Sequence, residues 1–137
     1  MSFAKNIYSN ELQAVFGATY FLKNTNHNRF IGSNSPKERI LRGLKIVGMD
    51  NYFNENSISS FDLVGKSKPE PDIYLRSIEV ADLNKNETII IEDSVIGIQA
   101  GIAAGIDVTL HLIESIFGYK CAVNVTYTNS FRSKQIL

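Results

Sequence analysis

A β-branched run, Thr88-Ile89-Ile90-Ile91, stops abruptly at Glu92-Asp93-Ser94 and leads directly into a segment of helical character. Apolar residues follow one another in it without polar alternation, which is how a strand buried on both faces of a parallel sheet reads. Parallel strands need crossover connections, so the run constrains the rest of the chain to supply helices between strands. With 137 residues there is room for a single core, and residues 1–137 read as one domain. A composition of 44% hydrophobic and 20% charged residues is that of a soluble globular chain.

The flanking sequence supplies the alternation. Asn10 to Asn24 places Leu12, Val15, Phe16, Thr19 and Leu22 at helical spacing, with Asn10 as a cap. Arg29 to Ser33 is a short strand, and Ser35-Pro36-Lys37-Glu38 then forms a capping box with proline at the first helical position. The helix it starts carries Ile40, Leu41, Leu44 and Val47 on one face and stops at Gly48. Ile58 to Val64 reads as a strand, and a helix from Pro71 has Ile73, Ser77, Ile78 and Ala81 on one side. Val95 to Ala104 is a helix capped by Gly105, with Gly97, Ala100, Gly101 and Ala104 as a small face for close packing. Asp107 to Ile113 and Val123 to Tyr127 complete the strands, and the last ten residues read as frayed or as a short docked segment. The expected fold class is α/β, a three-layer Rossmann-like parallel sheet with helices on both faces.

Charge and cysteine usage narrow the partners. Fourteen Lys+Arg balance fourteen Asp+Glu, leaving no basic field for nucleic acid or an anionic membrane surface. The single Cys121 forms no internal disulfide, and MSFAKNIYSNEL lacks the apolar stretch of a secretory signal, so the cytoplasm is the expected compartment. Ser94 to Val108, the most apolar stretch, is shorter than the roughly twenty residues a spanning helix requires and reads as a buried helix.

In open parallel sheets ligands bind beyond the carboxyl ends of the strands, which draws attention to three strand ends. Ser33-Asn34-Ser35-Pro36 brings a hydroxyl, an amide and free N–H groups to a helix N-terminus, an arrangement that suits a phosphate dianion, but taken by itself the segment reads first as an ordinary helix cap, which Ser35 already explains. Lys68-Pro69-Glu70-Pro71 holds a lysine by two prolines that follow it and fix the backbone just before a helix; it is either a pinned cation for phosphoryl charge or a stiffened solvent loop with Lys66 as an equal competitor. Glu92-Asp93 puts adjacent carboxylates at the end of an apolar strand, where a hard cation such as Mg²⁺ is a natural partner and a helix cap explains only one of them. His27 and His111 fall in no triad-like pattern, and Cys121 reads as an incidental thiol.

Taken in order, FIGSNSP, KPEPDIYL and IIIEDSVIGIQAGIAAGI resemble the second, third and fourth signature motifs of the haloacid dehalogenase (HAD) superfamily, in its sugar-phosphatase and β-phosphoglucomutase-like branch. The resemblance extends over about Glu11 to Thr128. It implies that Ser33 and Lys68 act on the phosphoryl group as catalytic positions, that Asn34 joins them in phosphate binding, and that Asp93 with Glu92 holds Mg²⁺. It also implies a phosphorylated small-molecule substrate, a small sugar phosphate, and a phosphoric monoester hydrolase reaction.

The family's nucleophile is an aspartate in a DxD-type motif on the first strand. The aspartates here are Asp50, Asp62, Asp72, Asp82, Asp93 and Asp107; no two are separated by one residue and none precedes Ser33. The chain is therefore expected to be the C-terminal portion of such an enzyme, truncated or split, without the nucleophile or a cap domain and inactive alone. Because the family's first strand lies between those ending at Ser33 and Asp93, these strands are expected to flank a gap, closed by pairing with each other or by a recruited strand. Partners implied are a complementing N-terminal half or self-association through open strand edges. The alternatives are a non-catalytic phosphate-binding or protein-interaction remnant, and the C-terminal part of a phosphomutase.

Overall fold

A computed structural model describes residues 12–116, 119–127 and 135–136, with side chains described through Val108. In chain order the elements are α1 (Ala18–Asn24), β1 (Ile31–Ser33), α2 (Lys37–Ile46), β2 (Ile58–Ser60), α3 (Phe61–Val64), α4 (Asp72–Val80), β3 (Thr88–Glu92), α5 (Val95–Ala104), β4 (Asp107–Ile116), β5 (Tyr119–Tyr127) and β6 (Gln135–Ile136).

Local chemistry sets several boundaries away from the positions the sequence suggests. The first helix begins at Ala18 because Gly17 is left-handed, with φ of 84°, and cannot continue a right-handed turn upstream; Asn10 lies outside the described residues. β2 ends at Ser60, and Phe61–Val64 closes as a helical turn in which Gly65, at φ 74°, donates its N–H to the Phe61 carbonyl at 2.8 Å. Ser35 does not cap α2. Its own N–H donates to Ser33 Oγ at 3.1 Å, while the Lys37 N–H at the start of α2 donates to Asp62 Oδ1 at 3.0 Å, so the helix is capped from a distant loop. Ser94 does cap α5, accepting the Gly97 N–H at 3.2 Å.

The strands form two separate sheets. β1 and β2 pair in parallel, Ile31 with Ile58 and Ser33 with Ser60. The second sheet runs β5-β4-β3-β6, with β3 parallel to both β4 and β6 and β4–β5 an antiparallel hairpin. β1 and β3 are not partners. Instead, the far edge of β3 pairs with β6 over Thr88↔Gln135 and Ile89↔Ile136, so the chain's own C-terminal segment is the strand recruited there. Alternating parallel strands and helices make this an α/β fold, an incomplete Rossmann-like domain.

α4 and α5 pack together and join the sheets. Tyr74, Ile90, Ala100, Ala104, Ile106 and Val108 form the buried cluster, with Leu75, Ile78 and Ile98 against it. α4 packs against both β1 and β2. Among the described residues, α2 lies against β2 and α5 packs on β3 and β4. Ile90 is 1% exposed and its neighbour Ile91 45% exposed, which corrects the expectation of a strand buried on both sides.

The small face of α5 is required by this packing. A Cβ on Gly101 would lie 2.3 Å from Val108 Cγ2 and 3.0 Å from Ile90 Cδ1. Overpacking at such a contact costs about 1–3 kcal/mol, more than the roughly 1 kcal/mol that alanine gains in helix propensity. Gly101→Ala is therefore expected to lower unfolding free energy by about 1–2 kcal/mol in urea titrations, and Val108→Ala in the same chain to restore part of it.

Candidate active site

The carboxyl ends of β1 and β3 are tied together by Lys68, in the loop between α3 and α4. Asn34, the residue after β1, brackets the Lys68 backbone: its Oδ1 accepts the Lys68 N–H at 2.7 Å and its Nδ2 donates to the Lys68 carbonyl at 3.4 Å. The side chain then carries Nζ to the end of β3, where it pairs directly with Glu92 Oε1, both side chains being 8% exposed. The pair is buried, so its stability depends on whether the remaining charge is met by hydrogen bonds.

Glu92 is met on every side. Oε1 also accepts the Tyr74 hydroxyl at 2.7 Å. Oε2 accepts the N–H groups of Asp93 and Ser94, both at 3.1 Å, and the Ser94 hydroxyl at 2.8 Å. These N–H groups lie just before α5, of which Ser94 is the N-cap, so the carboxylate also sits at the positive end of the helix. Burial pushes the Glu92 carboxyl up, but hydrogen bonds from Lys68 and Tyr74 outweigh it and hold it below the usual glutamate value. Burial, and then the bond to Glu92, push the Tyr74 phenol well above its ordinary range, so it stays protonated and donates.

Two close approaches make this arrangement possible. A Cβ on Gly97 would lie 2.0–2.2 Å from the Glu92 carboxylate atoms, so only glycine leaves room for that side chain to turn in under α5. A Cβ on Gly32 would lie 2.8 Å from Tyr74 Cε1, so the ring seats directly on the β1 backbone. The Lys68 ammonium lies 4.7 Å from the centre of that ring.

The structure brings Ser33, Asn34, Lys68, Glu92 and Asp93 to one end of the strands, and gives them different surroundings. Ser33 Oγ accepts the Ser35 N–H and keeps its own proton for donation. The Asn34 side-chain amide is engaged by the Lys68 backbone. Asp93 is exposed, whereas both Glu92 oxygens are engaged by protein donors, so a metal bond to Glu92 requires giving up one of those contacts. Among the described residues no group of three or more His, Cys, Asp or Glu side chains converges, so these residues alone do not complete a divalent-cation site.

Sequence reasoning passes over Tyr74, and reads Gly97 as part of a small packing face and not as the space for the Glu92 carboxylate. The signal for Tyr74 was its place beside Ile73 on the buried side of α4, where a phenol needs a polar partner. A cleft of about 510 Å³ lined by His27, Arg29, Tyr52 and Asn54 lies at the amino ends of β1 and β2, remote from these groups. Its Arg29 donates to the Leu22 and Thr25 carbonyls at 2.8 and 2.6 Å, a structural role.

Glu92 is held charged in the fold below the usual glutamate value, 4.5, so its contribution to stability is complete above that value and is lost as pH falls toward the depressed one. Glu92→Gln is expected to lower stability at neutral pH and to flatten the acid limb of a denaturation-versus-pH curve. Gly97→Ala, which expels the carboxylate, is expected to lose about 2 kcal/mol and to show the same flattening in those titrations.

A haloacid dehalogenase-like hydrolase family model matches residues 5–111. The chain is 28% identical to 6-phosphogluconate phosphatase of Escherichia coli K12 over 74% of its length and 46% of that protein. It is 24% identical to a phosphorylated carbohydrates phosphatase of Thermotoga maritima, over 97% of the chain and 62% of the relative. A conserved haloacid dehalogenase-like protein of unknown function from Agrobacterium tumefaciens superposes with a TM-score of 0.72 at 30% identity, covering 76% of this chain and 47% of that one. A HAD family hydrolase from Deinococcus radiodurans, solved with bound phosphate and sodium, gives 0.64 at 32% identity over 70% and 43%. The chain spans about half the length of the curated relatives it matches. Motif order, fold and the matched family model agree, and the chain belongs to the haloacid dehalogenase-like hydrolase family.

Proposed function

We propose that this chain carries the phosphate-cradling part of a phosphoric monoester hydrolase acting on a small sugar phosphate in the cytoplasm, and that turnover needs a carboxylate nucleophile from outside residues 12–127. The observation that carries the reading is the joining of the Ser33 loop to Lys68 through Asn34, and of Lys68 to the Asp93 strand end through Glu92. In it, Ser33 donates its hydroxyl proton to a phosphoryl oxygen. Lys68 gives one N–H to Glu92 and turns the others to the phosphoryl oxygens, stabilising charge that grows toward the transition state. Being fixed beforehand, it needs little reorganisation as the charge develops.

Asp93 would hold Mg²⁺ together with ligands outside the described residues, and Glu92 would join it by releasing a protein donor. Bound there, the ion would screen phosphate charge. The relatives named as phosphatases of 6-phosphogluconate and of phosphorylated carbohydrates support the substrate class.

The test is hydrolysis of p-nitrophenyl phosphate with and without Mg²⁺. The chain alone is expected to give background rates, and a chain extended or complemented by a segment bearing the missing carboxylate to give Mg²⁺-dependent turnover that Lys68→Ala abolishes. Turnover by the chain alone, removed by Asp93→Asn, would overturn the need for an outside nucleophile. No turnover in the complemented form would remove the hydrolase reading.

A second reading, association through an open strand edge, is favoured by one observation: among the described residues β6 pairs with β3 at Thr88 and Ile89 and no further. Deleting residues 134–137 should then shift the chain toward dimers or larger species by light scattering. An unchanged monomer would count against it.

A further inference from the structure

A buried ammonium needs its donors met and its direction fixed, and Lys68 draws on three groups for this. Glu92 Oε1 takes one N–H, the Tyr74 ring lies 4.7 Å away, and the Asn34 amide holds the backbone from which the side chain departs. Tyr74 is the group that touches both sides of the site. Its ring is seated on Gly32, immediately before Ser33, and its hydroxyl donates at 2.7 Å to the same Glu92 oxygen that receives Lys68.

We propose that Tyr74 is a positioning residue that aims the Lys68 ammonium at the anion cradled by Ser33, by sharing Glu92 Oε1 with it and supporting it from below. The assignment rests on the phosphate-cradling reading of Ser33 and Lys68. Because Oε2 is fixed by the Asp93 and Ser94 N–H groups, the carboxylate cannot turn away, and the charge on Oε1 is divided between phenol and ammonium. Without the hydroxyl, Oε1 faces Lys68 alone and draws the ammonium toward β3, away from Ser33. Tyr74 thereby acts on anion binding through Lys68, without touching the anion.

The experiment is a double-mutant cycle read by titrating inorganic phosphate into the 137-residue chain and following ³¹P NMR shifts. The wild type, Tyr74→Phe, Lys68→Ala and the double variant are compared, with thermal unfolding recorded for each. Tyr74→Phe is expected to weaken phosphate binding on the order of three- to tenfold in the wild-type background, and to change it no further once Lys68 is alanine. Gly32→Ala, which displaces the ring and keeps the hydroxyl, is expected to give the same Lys68-dependent loss.

An equal loss with and without Lys68 would make Tyr74 a merely structural residue and overturn the proposal. So would an unchanged affinity in Tyr74→Phe. Should both variants unfold, ¹⁵N NMR of the wild-type lysine ammonium groups decides: contacts from Lys68 to the Tyr74 ring support the proposal, and their absence overturns it. A wild type that binds no phosphate, or a Lys68→Ala variant that binds it equally, removes the phosphate-cradling reading itself and this assignment with it.

Discussion

The buried pair of Lys68 and Glu92 is the contact on which the two halves of the molecule depend. The β1–β2 sheet and the β3–β4 sheet share no ladder of hydrogen bonds, so their relative placement falls to side chains. Lys68 reaches from one to the other, with its backbone on Asn34 beside β1 and its ammonium on Glu92 at the end of β3. Two buried charges alone would lose more solvation than their attraction returns. The surrounding donors alter that balance: Tyr74, Ser94 and the N–H groups just before α5 fill the other acceptor positions of the carboxylate. The electrostatics of the site and the joint between the sheets are therefore one structure.

The same arrangement explains why the site can be ordered while the sheet is divided. α4 lies against both β1 and β2 and packs on α5, and Tyr74 projects from it onto Gly32 and Glu92. Backbone groups on a strand edge still call for partners, and β6 supplies them to β3 as far as Ile89. Ile91 is exposed on the side of β3 away from Ile90, which packs in the core.

Much of this was legible along the chain. The TIII run ending at Glu92, the helix from Val95 to Gly105 and the loop in which Pro69 and Pro71 follow Lys68 stand where their local chemistry places them, because each follows from neighbours a few residues apart. Misreadings came where distant groups decide. The start of α2 was read from Ser35, yet the N–H of Lys37 is taken by Asp62, which periodicity does not connect to it. Asn34 is a different case: its place after a strand makes it a candidate phosphate ligand, and folding adds that its amide meets the Lys68 backbone.

By itself the sequence determined the α/β class and, through the resemblance of its ordered motifs, the family; it also placed Ser33, Glu92 and Asp93 at strand ends and Lys68 in a loop before a helix, since strand periodicity and proline and glycine placement act locally. Tertiary structure alone decided which of these groups are engaged with one another. Glu92 became the counter-ion of Lys68, Tyr74 the support beneath it, and Gly97 the space that admits the carboxylate. The physical reason is that hydrogen-bond partners and steric room are set by segments far apart in the chain, and desolvation acts only once those segments have closed around a charge.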